Sequence, residues 1–497
     1  MEMQTLQSIF SILFFSFTFL FLLSALLIKV LSLSHRRYCD CEVCRAYLTG
    51  SWMTRFPNLA DWYAHLLRNS PTGTIHIHVL NNVITANPAN VEHMLKTNFH
   101  NYPKGKRFSA ILGDLLGNGI FTADGRAWHS QRKAASLALG GASVRKHAFD
   151  VVTKEVKTRL VPLLSSVQGT VDLQEVFSTF AFSTICKISF GLDPEEMELP
   201  LPLSEYIAAF DSASRLSALR ATTTIPFVWK LKRFLNIGSE KELKHAIRLV
   251  NELATTVIIT HRKLGSRNNH DLLSRVMQTA DGEATDDLYL RDVVVSFLLA
   301  GRDTVASGLA AFFLLLSKNP SALCTIREEI SHVTKGKTDY EMSHDDIKSM
   351  HYMHAALHES MRLIPPVPFD SKFAAGDDTL PDGTEITKGT RVTCHSYAMA
   401  RMKSVWGPDC KEFRPERWLG KDGVFKPESP FKYPVFQAGL RVCLGRELAL
   451  MEMKNVIVSV LREFDVEVVL KDGDLPRFAP GLTTSFKGGI PVSISRR

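Results

Sequence analysis

Near the C-terminus one cysteine stands in the run Phe436-Gln437-Ala438-Gly439-Leu440-Arg441-Val442-Cys443-Leu444-Gly445. A helix-like stretch begins near Arg446, which places Cys443 beside a helix N-terminus, where a thiolate is favoured. A thiolate there can be the axial ligand of a haem iron, donating electron density that favours O–O cleavage. Gly439 and Gly445 let backbone come close to the sulfur or the ring, and Arg441 can neutralise a haem propionate. A second group, Ala300-Gly301-Arg302-Asp303-Thr304, sets an acid beside an alcohol in the middle of a long apolar stretch. An Asp–Thr pair can hold and relay protons. Helix-interior threonines usually bond back to their own carbonyl ladder, so this pair gains meaning only alongside Cys443.

The full FxxGxRxCxG pattern resembles the signature of the cytochrome P-450 (haem-thiolate monooxygenase) family, and further family segments follow in order over essentially the whole chain. Glu359-Ser360-Met361-Arg362 matches ExxR, with its two charges on one helix face at i, i+3. Phe413-Arg414-Pro415-Glu416-Arg417-Trp418 supplies a third partner, Arg417, for a buried carboxylate–guanidinium network. The resemblance implies haem b bound by Cys443 as iron ligand, with Arg441, Phe436 and Gly439 of the signature around the ring. Trp128 and Arg132, a WxxxR pair, and Lys372, after the Pro365-Pro366-Val367-Pro368 turn, are the implied propionate contacts. Thr304 is implied to hold dioxygen by a hydrogen bond and Asp303 to pass protons inward. Small residues at Ala300 and Gly301 are expected to bring the helix close over the iron.

These residues need a large helical frame. The longest element is expected from about Thr285 to Lys318, capped by Thr285, Asp286 and Asp287 and stopped by Asn319-Pro320. Its centre, Val293 to Leu316, is apolar enough for lipid, but Arg302 and Asp303 would be costly there, so a core helix is expected. Short strands are expected near Thr74–Leu80, Val83–Ala86, Val392–Tyr397 and Pro491–Ser495. The fold class is mainly α with a small β portion drawn from both ends of the chain, the cytochrome P-450 fold. No repeat or Gly/Ser linker divides it, so residues 35–497 are read as one catalytic domain.

Residues 1–34 differ. Between Glu2 and Lys29 there is no charge, and Ile9 to Leu33 is long enough to span a bilayer, which takes about 20 residues. No cleavage site follows, so an uncleaved anchor is expected. Lys29, Arg36 and Arg37 lie after it, which turns the catalytic domain toward the cytoplasm. The family resemblance puts that single-pass anchor in the endoplasmic reticulum membrane.

With 59 Lys plus Arg against 51 Asp plus Glu, the net +8 is too dilute for a nucleic-acid footprint. It suits an anionic lipid surface or an acidic partner. Gly113, Gly117 and Gly119 have the wrong spacing for a dinucleotide fingerprint, so electrons must arrive from outside. NADPH–cytochrome reductase is the donor the resemblance implies. Eight cysteines are too few for a disulfide scaffold. Cys39, Cys41 and Cys44 cluster, but without a second pair or histidine at zinc spacing they read as free surface thiols.

Cys41-Glu42-Val43-Cys44-Arg45, Asn101-Tyr102-Pro103-Lys104-Gly105-Lys106, Ile111-Leu112-Gly113-Asp114-Leu115-Leu116-Gly117 and the Ala300–Thr304 run resemble the plant fatty-acid ω-hydroxylase group. That group includes hydroxylases of fatty acids and of jasmonoyl-isoleucine. Leu440 stands where its members usually carry Pro. The expected reaction is oxidation of the far methyl of a long apolar molecule, sometimes onward to aldehyde and acid. A narrow funnel must hold that methyl in place. Phe108, Ile111, Leu112, Leu115, Phe121, Phe297, Ala300, Val367, Phe369 and Thr484 are its expected walls, and Lys104, Lys106 and Arg107 its basic mouth. Terminal (C-26 type) oxidation of a sterol side chain is the alternative within the same chemistry. A hydroperoxide isomerase or a sensor is the alternative outside it, and the intact Asp303-Thr304 pair argues against it.

Overall fold

The computed structural model describes residues 39–264, 271–279, 286–336, 342–469 and 476–497, with scattered positions between 14 and 25. The expected anchor, residues 1–34, lies outside these apart from those positions, and so does Thr285.

The central helix runs as Asp287–Leu298 and Thr304–Ser317, joined by a π-helical turn over Leu299–Asp303. Asp286 caps it, its side chain accepting the Leu288 N–H at 3.1 Å. Leu309, Ala310, Ala311, Phe312 and Leu314 are wholly buried, as expected of a helix apolar on every side that runs through a core. Among the described residues this is the one helix long and apolar enough to cross a membrane, and 78% of its apolar window is buried in protein. Its midpoint charge is satisfied by protein groups: Arg302, 3% exposed, donates to Asp211 at 2.7 Å, to Asp303 at 3.2 Å and to Ser178. The wider π turn at the acid–alcohol motif was not foreseen, since hydrophobic spacing does not register a single extra residue per turn.

Helices Leu173–Phe190 and His351–Leu363 flank the central helix, and the C-terminal helix Arg446–Glu463 packs beneath it. One apolar core joins all four. A second, smaller core lies under a four-stranded sheet. In that sheet Thr74–Ile77 pairs antiparallel with Asn82–Thr85, which runs parallel to Arg391–Cys394, itself antiparallel to Asp370–Phe373. A three-stranded sheet adds Thr170–Asp172, Pro491–Arg496 and Phe464–Val468. The β portion thus draws on both ends of the chain, as expected, and also on strands between them at Thr170–Asp172, Asp370–Phe373 and Arg391–Cys394. Two expected strands are shorter than read: His78–Leu80 is a 3-10 turn, and Ser396–Met399, with Tyr397, is a short helix.

Candidate functional site

Cys443 lies between the 3-10 turn Gly439–Arg441 and the helix Arg446–Glu463. Its N–H donates to the Phe436 carbonyl at 2.8 Å, which closes the loop around the sulfur. Gly439 has φ +61°, and a Cβ there would run into the Leu95 carbonyl oxygen. Only glycine combines that left-handed backbone with so close an approach. Cys443 counts as exposed because it faces an internal cavity of about 920 Å³. One expectation changes here. Burial pushes the Cys443 thiol up, and the Gly445 N–H and the charges of Arg132 and Arg446 only partly offset it. The helix N-terminus alone does not make a thiolate; a cation at the sulfur would be needed to hold one.

Trp128 and Arg132 share a face of helix Gly125–Gly140. Arg132 donates to the Val442 carbonyl at 2.7 Å, and the Arg441 guanidinium lies 4.5 Å over the Trp128 ring. Arg441 donates to Asp124 at 2.7 Å and to the Ala123 carbonyl, while its Nε is buried with no hydrogen-bond partner. Lys372 lines the cavity from an edge strand, yet it is 2% exposed and not solvated. It donates to Asp370 at 2.8 Å, and Lys104 reaches the other oxygen of the same carboxylate at 2.5 Å. Lys104 is therefore a buried wall residue and not part of a basic mouth; Lys106 and Arg107 are the exposed pair. Burial pulls the Lys104 ammonium down to about 7 against the attraction of Asp370. Burial would raise Asp370, but the two ammonium groups overcome it and hold it well below the usual carboxylate range.

Across the cavity stand Ala300, Gly301 and Thr304. Thr304 Oγ1 donates back to the Ala300 carbonyl at 2.6 Å, the ordinary bond of a helical threonine. Gly301 lines the cavity and has a packing reason besides the one expected. A Cβ there would collide with Ile185, so its smallness also serves helix packing. Burial raises Asp303 to about 6; Arg302 opposes the rise, Asp211 adds to it and a Thr483 bond opposes it. Of the expected funnel walls all but Leu115 line the cavity, and Leu115 is fully buried in the main core.

Sequence reasoning missed Arg391, Asp370, Lys104 as a wall residue and the link from Arg302 to Asp211. Arg391 lines the cavity, its Nε donating to Ser371 and Nη1 to the Ala221 carbonyl, with no carboxylate partner among the described residues. No local spacing marks it; its place follows from strand pairing with segments far away in the chain.

The residues suit a haem. A soft sulfur donor faces the cavity, the cations Arg132, Arg441, Lys104 and Lys372 gather on its wall, and the unpartnered Arg441 Nε is a ready donor to an anionic edge. Comparison with known proteins agrees: the family model described as Cytochrome P450 matches residues 64–488. The chain is similar to Cytochrome P450 94C1 of Arabidopsis thaliana, 55% identical over 495 residues, covering 98% of this chain and all of that one. It is 46% identical over 456 residues to Cytochrome P450 94B1 of the same plant, covering 88% of each. With Cytochrome P450 94A2 of Vicia sativa it shares 42% over 464 residues, covering 90% of this chain and 89% of that one.

Proposed function

The chain belongs to the cytochrome P450 family as a monooxygenase of the P450 94 group, and from that premise we propose that it oxidises the terminal carbon of a long apolar carboxylate. The substrate class proposed is a fatty acid or a fatty-acid-derived conjugate such as jasmonoyl-isoleucine. The observation that carries this reading is the cavity. The haem would share it, its walls are predominantly apolar, and, beside Arg132, which is assigned to the propionates, it holds a second guanidinium, Arg391, with no carboxylate hydrogen-bond partner among the described residues, since the nearby Asp370 is taken by Lys104 and Lys372. An apolar chain with one anionic end matches that pattern.

Haem held through a cysteine thiolate supplies the family's chemistry, the insertion of one oxygen atom of dioxygen into an unactivated C–H bond. Cys443 is the proposed ligand, with Arg132, Arg441, Lys104 and Lys372 holding the propionates. The protein's own task is to place and protect. Phe108, Ile111, Phe297 and Phe369 exclude water and align the methyl, which shape must select because it is the least reactive C–H of the chain. Thr304 would exchange its bond to the Ala300 carbonyl for one to dioxygen in the cavity. Asp303, which burial raises to about 6, would hold a proton beside Thr304, with Arg302 standing between it and the solvent-exposed Asp211.

We further read the protein as single-pass in the endoplasmic reticulum membrane, its residues 35–497 facing the cytoplasm and taking electrons from NADPH–cytochrome reductase. Helix Pro226–Leu235 supports a lipid-facing position: Phe227, Leu231 and Phe234 are 54%, 42% and 85% exposed beside Lys230 and Lys232.

The test is competition in microsomes with reductase and NADPH, offering a long-chain fatty acid, jasmonoyl-isoleucine and a side-chain-hydroxylated cholesterol together. New oxygen at the methyl end of a carboxylate is the expected result; oxidation of the sterol alone would overturn the assignment. Arg391→Met is expected to raise KM for the carboxylate by roughly tenfold, the loss of one charge-assisted contact, and to leave its methyl ester unaffected. Equal effects on acid and ester would remove Arg391 from the reading.

A further inference from the structure

Three thiols that spacing alone left as unconnected surface groups come together in the fold. The sulfurs of Cys39, Cys41 and Cys44 all lie within 4.8 Å of one another. Cys41 caps helix Glu42–Thr49, its sulfur accepting the Cys44 N–H at 3.4 Å. Cys44 is wholly buried, Cys39 half-buried and Cys41 exposed, and none forms a disulfide. The helix that Cys41 caps and Cys44 belongs to is docked. Val43, Ala46 and Tyr47 pack on the smaller core, and the Tyr47 hydroxyl donates to the Thr222 carbonyl at 2.7 Å. The thiols therefore sit on a fixed scaffold.

We infer that Cys39, Cys41 and Cys44 form a metal site for a thiophilic d¹⁰ cation, zinc, at the entry to the catalytic domain. Thiolate is the donor zinc prefers in structural sites. Zn–S bonds of about 2.3 Å in a tetrahedron need sulfurs about 3.8 Å apart, so from 4.8 Å each must shift by only about half an ångström. The fourth position is taken by water or by a further donor. Binding balances as one Zn²⁺ in and three thiol protons out, leaving a tris-thiolate complex of net charge −1. The competing use of cysteines just past an anchor is acylation, which needs sulfurs that face outward. Here they face one another, and the buried Cys44 is closed to an acyl transferase. Such a clip would fix the segment that leads into the domain, because the ligands straddle the start of helix Glu42–Thr49.

The experiment uses the full-length, haem-loaded chain, purified in detergent from zinc-supplemented cells and washed with a weak chelator. Zinc is measured by elemental analysis against haem iron, with thiol titration and intact mass alongside. One zinc per chain is expected, with three thiols that titrate only after a strong chelator is added. Cys41→Ser and the triple serine variant should lose zinc by roughly tenfold or more, whereas Cys324→Ser, at an exposed thiol elsewhere, should keep it. Cys44→Ser removes a buried group, so Cys41→Ser, at an exposed one, is the deciding variant, and an unchanged carbon monoxide difference spectrum shows that it is folded. Wild type without zinc, equal zinc in the triple variant, or an acyl adduct on Cys39 or Cys41 would each overturn the proposal.

Discussion

Glu359→Gln tests the buried network that braces the cysteine loop. Glu359 is 0% exposed and accepts five hydrogen bonds: from Arg362 at 2.7 and 2.8 Å, from Trp418 Nε1 at 2.9 Å, from the Arg414 N–H at 3.0 Å and from Arg417 at 3.2 Å. Arg362, 1% exposed, also donates to the carbonyls of Ala400, Cys410 and Glu412, so one ion pair ties helix His351–Leu363 to the segment that leads toward Cys443. Glutamine keeps the shape, removes the charge and turns one acceptor into a donor aimed at a guanidinium. Leaving a buried charge unpaired costs about 3–5 kcal/mol. With an unfolding entropy of about 2.1 cal/mol/K per residue, a chain of this length loses about 1 °C per kcal/mol, so the apparent midpoint should fall by about 3–5 °C. Thermal melting at one fixed scan rate, paired with the carbon monoxide difference spectrum, reads both stability and haem retention. Arg414→Ala is the control: its exposed pair with Asp409 is worth about 0–1 kcal/mol, and the backbone N–H on Glu359 remains. A Glu359→Gln midpoint within about 1 °C of wild type, with full haem, would refute the reasoning.

Gly439→Ala should abolish the thiolate-type carbon monoxide spectrum, because the added methyl meets the Leu95 carbonyl at a left-handed backbone position; a normal spectrum would show that the loop adapts. Glu452 is buried with one carboxyl oxygen unpartnered, and burial raises it to about 8. Between about pH 4.5 and 8 the folded protein keeps a proton that the unfolded chain has shed, so stability falls as pH rises across that window. Glu452→Gln should flatten this fall, with a difference of up to about 5 kcal/mol at the alkaline end; parallel urea profiles for the two proteins would contradict it. Asp303→Asn should lower product formed per NADPH by about 10²-fold. It should also remove the decline in wild-type coupling as pH climbs past about 6, where Asp303 gives up its proton; an unchanged profile would take Asp303 out of proton delivery.

What could be read ahead of the structure was local. Cys443, Trp128, Arg132 and Arg441 carry a distinctive residue type at fixed spacing, and the central helix announces itself by a run from Val293 to Leu316 whose only charges are Arg302 and Asp303. What could not be read depends on partners far along the chain. Lys104 changes from a basic mouth residue to a buried wall residue because Asp370 reaches it across the fold. Gly301 answers to Ile185 on another helix, and the three N-terminal cysteines converge only because Cys41 turns back to cap the helix that bears Cys44. The π turn at Leu299–Asp303 leaves no mark in hydrophobic periodicity, since the neighbours on every side are apolar.

The parallel pairing of Asn82–Thr85 with Arg391–Cys394 sets a timetable for synthesis. At about 5–20 residues per second, the first strand leaves the ribosome roughly 15–60 s before its neighbour exists. Until then it has only Thr74–Ile77 beside it, and an isolated two-stranded hairpin is marginal in water. Its free edge, rich in β-branched side chains, stays open to wrong partners for that whole interval. The same delay separates Trp128 and Arg132 from Cys443, so haem capture falls to the last moments of translation or after it. The interval over which a holding factor would have to cover the nascent chain is therefore set by this strand pairing and not by the largely helical content.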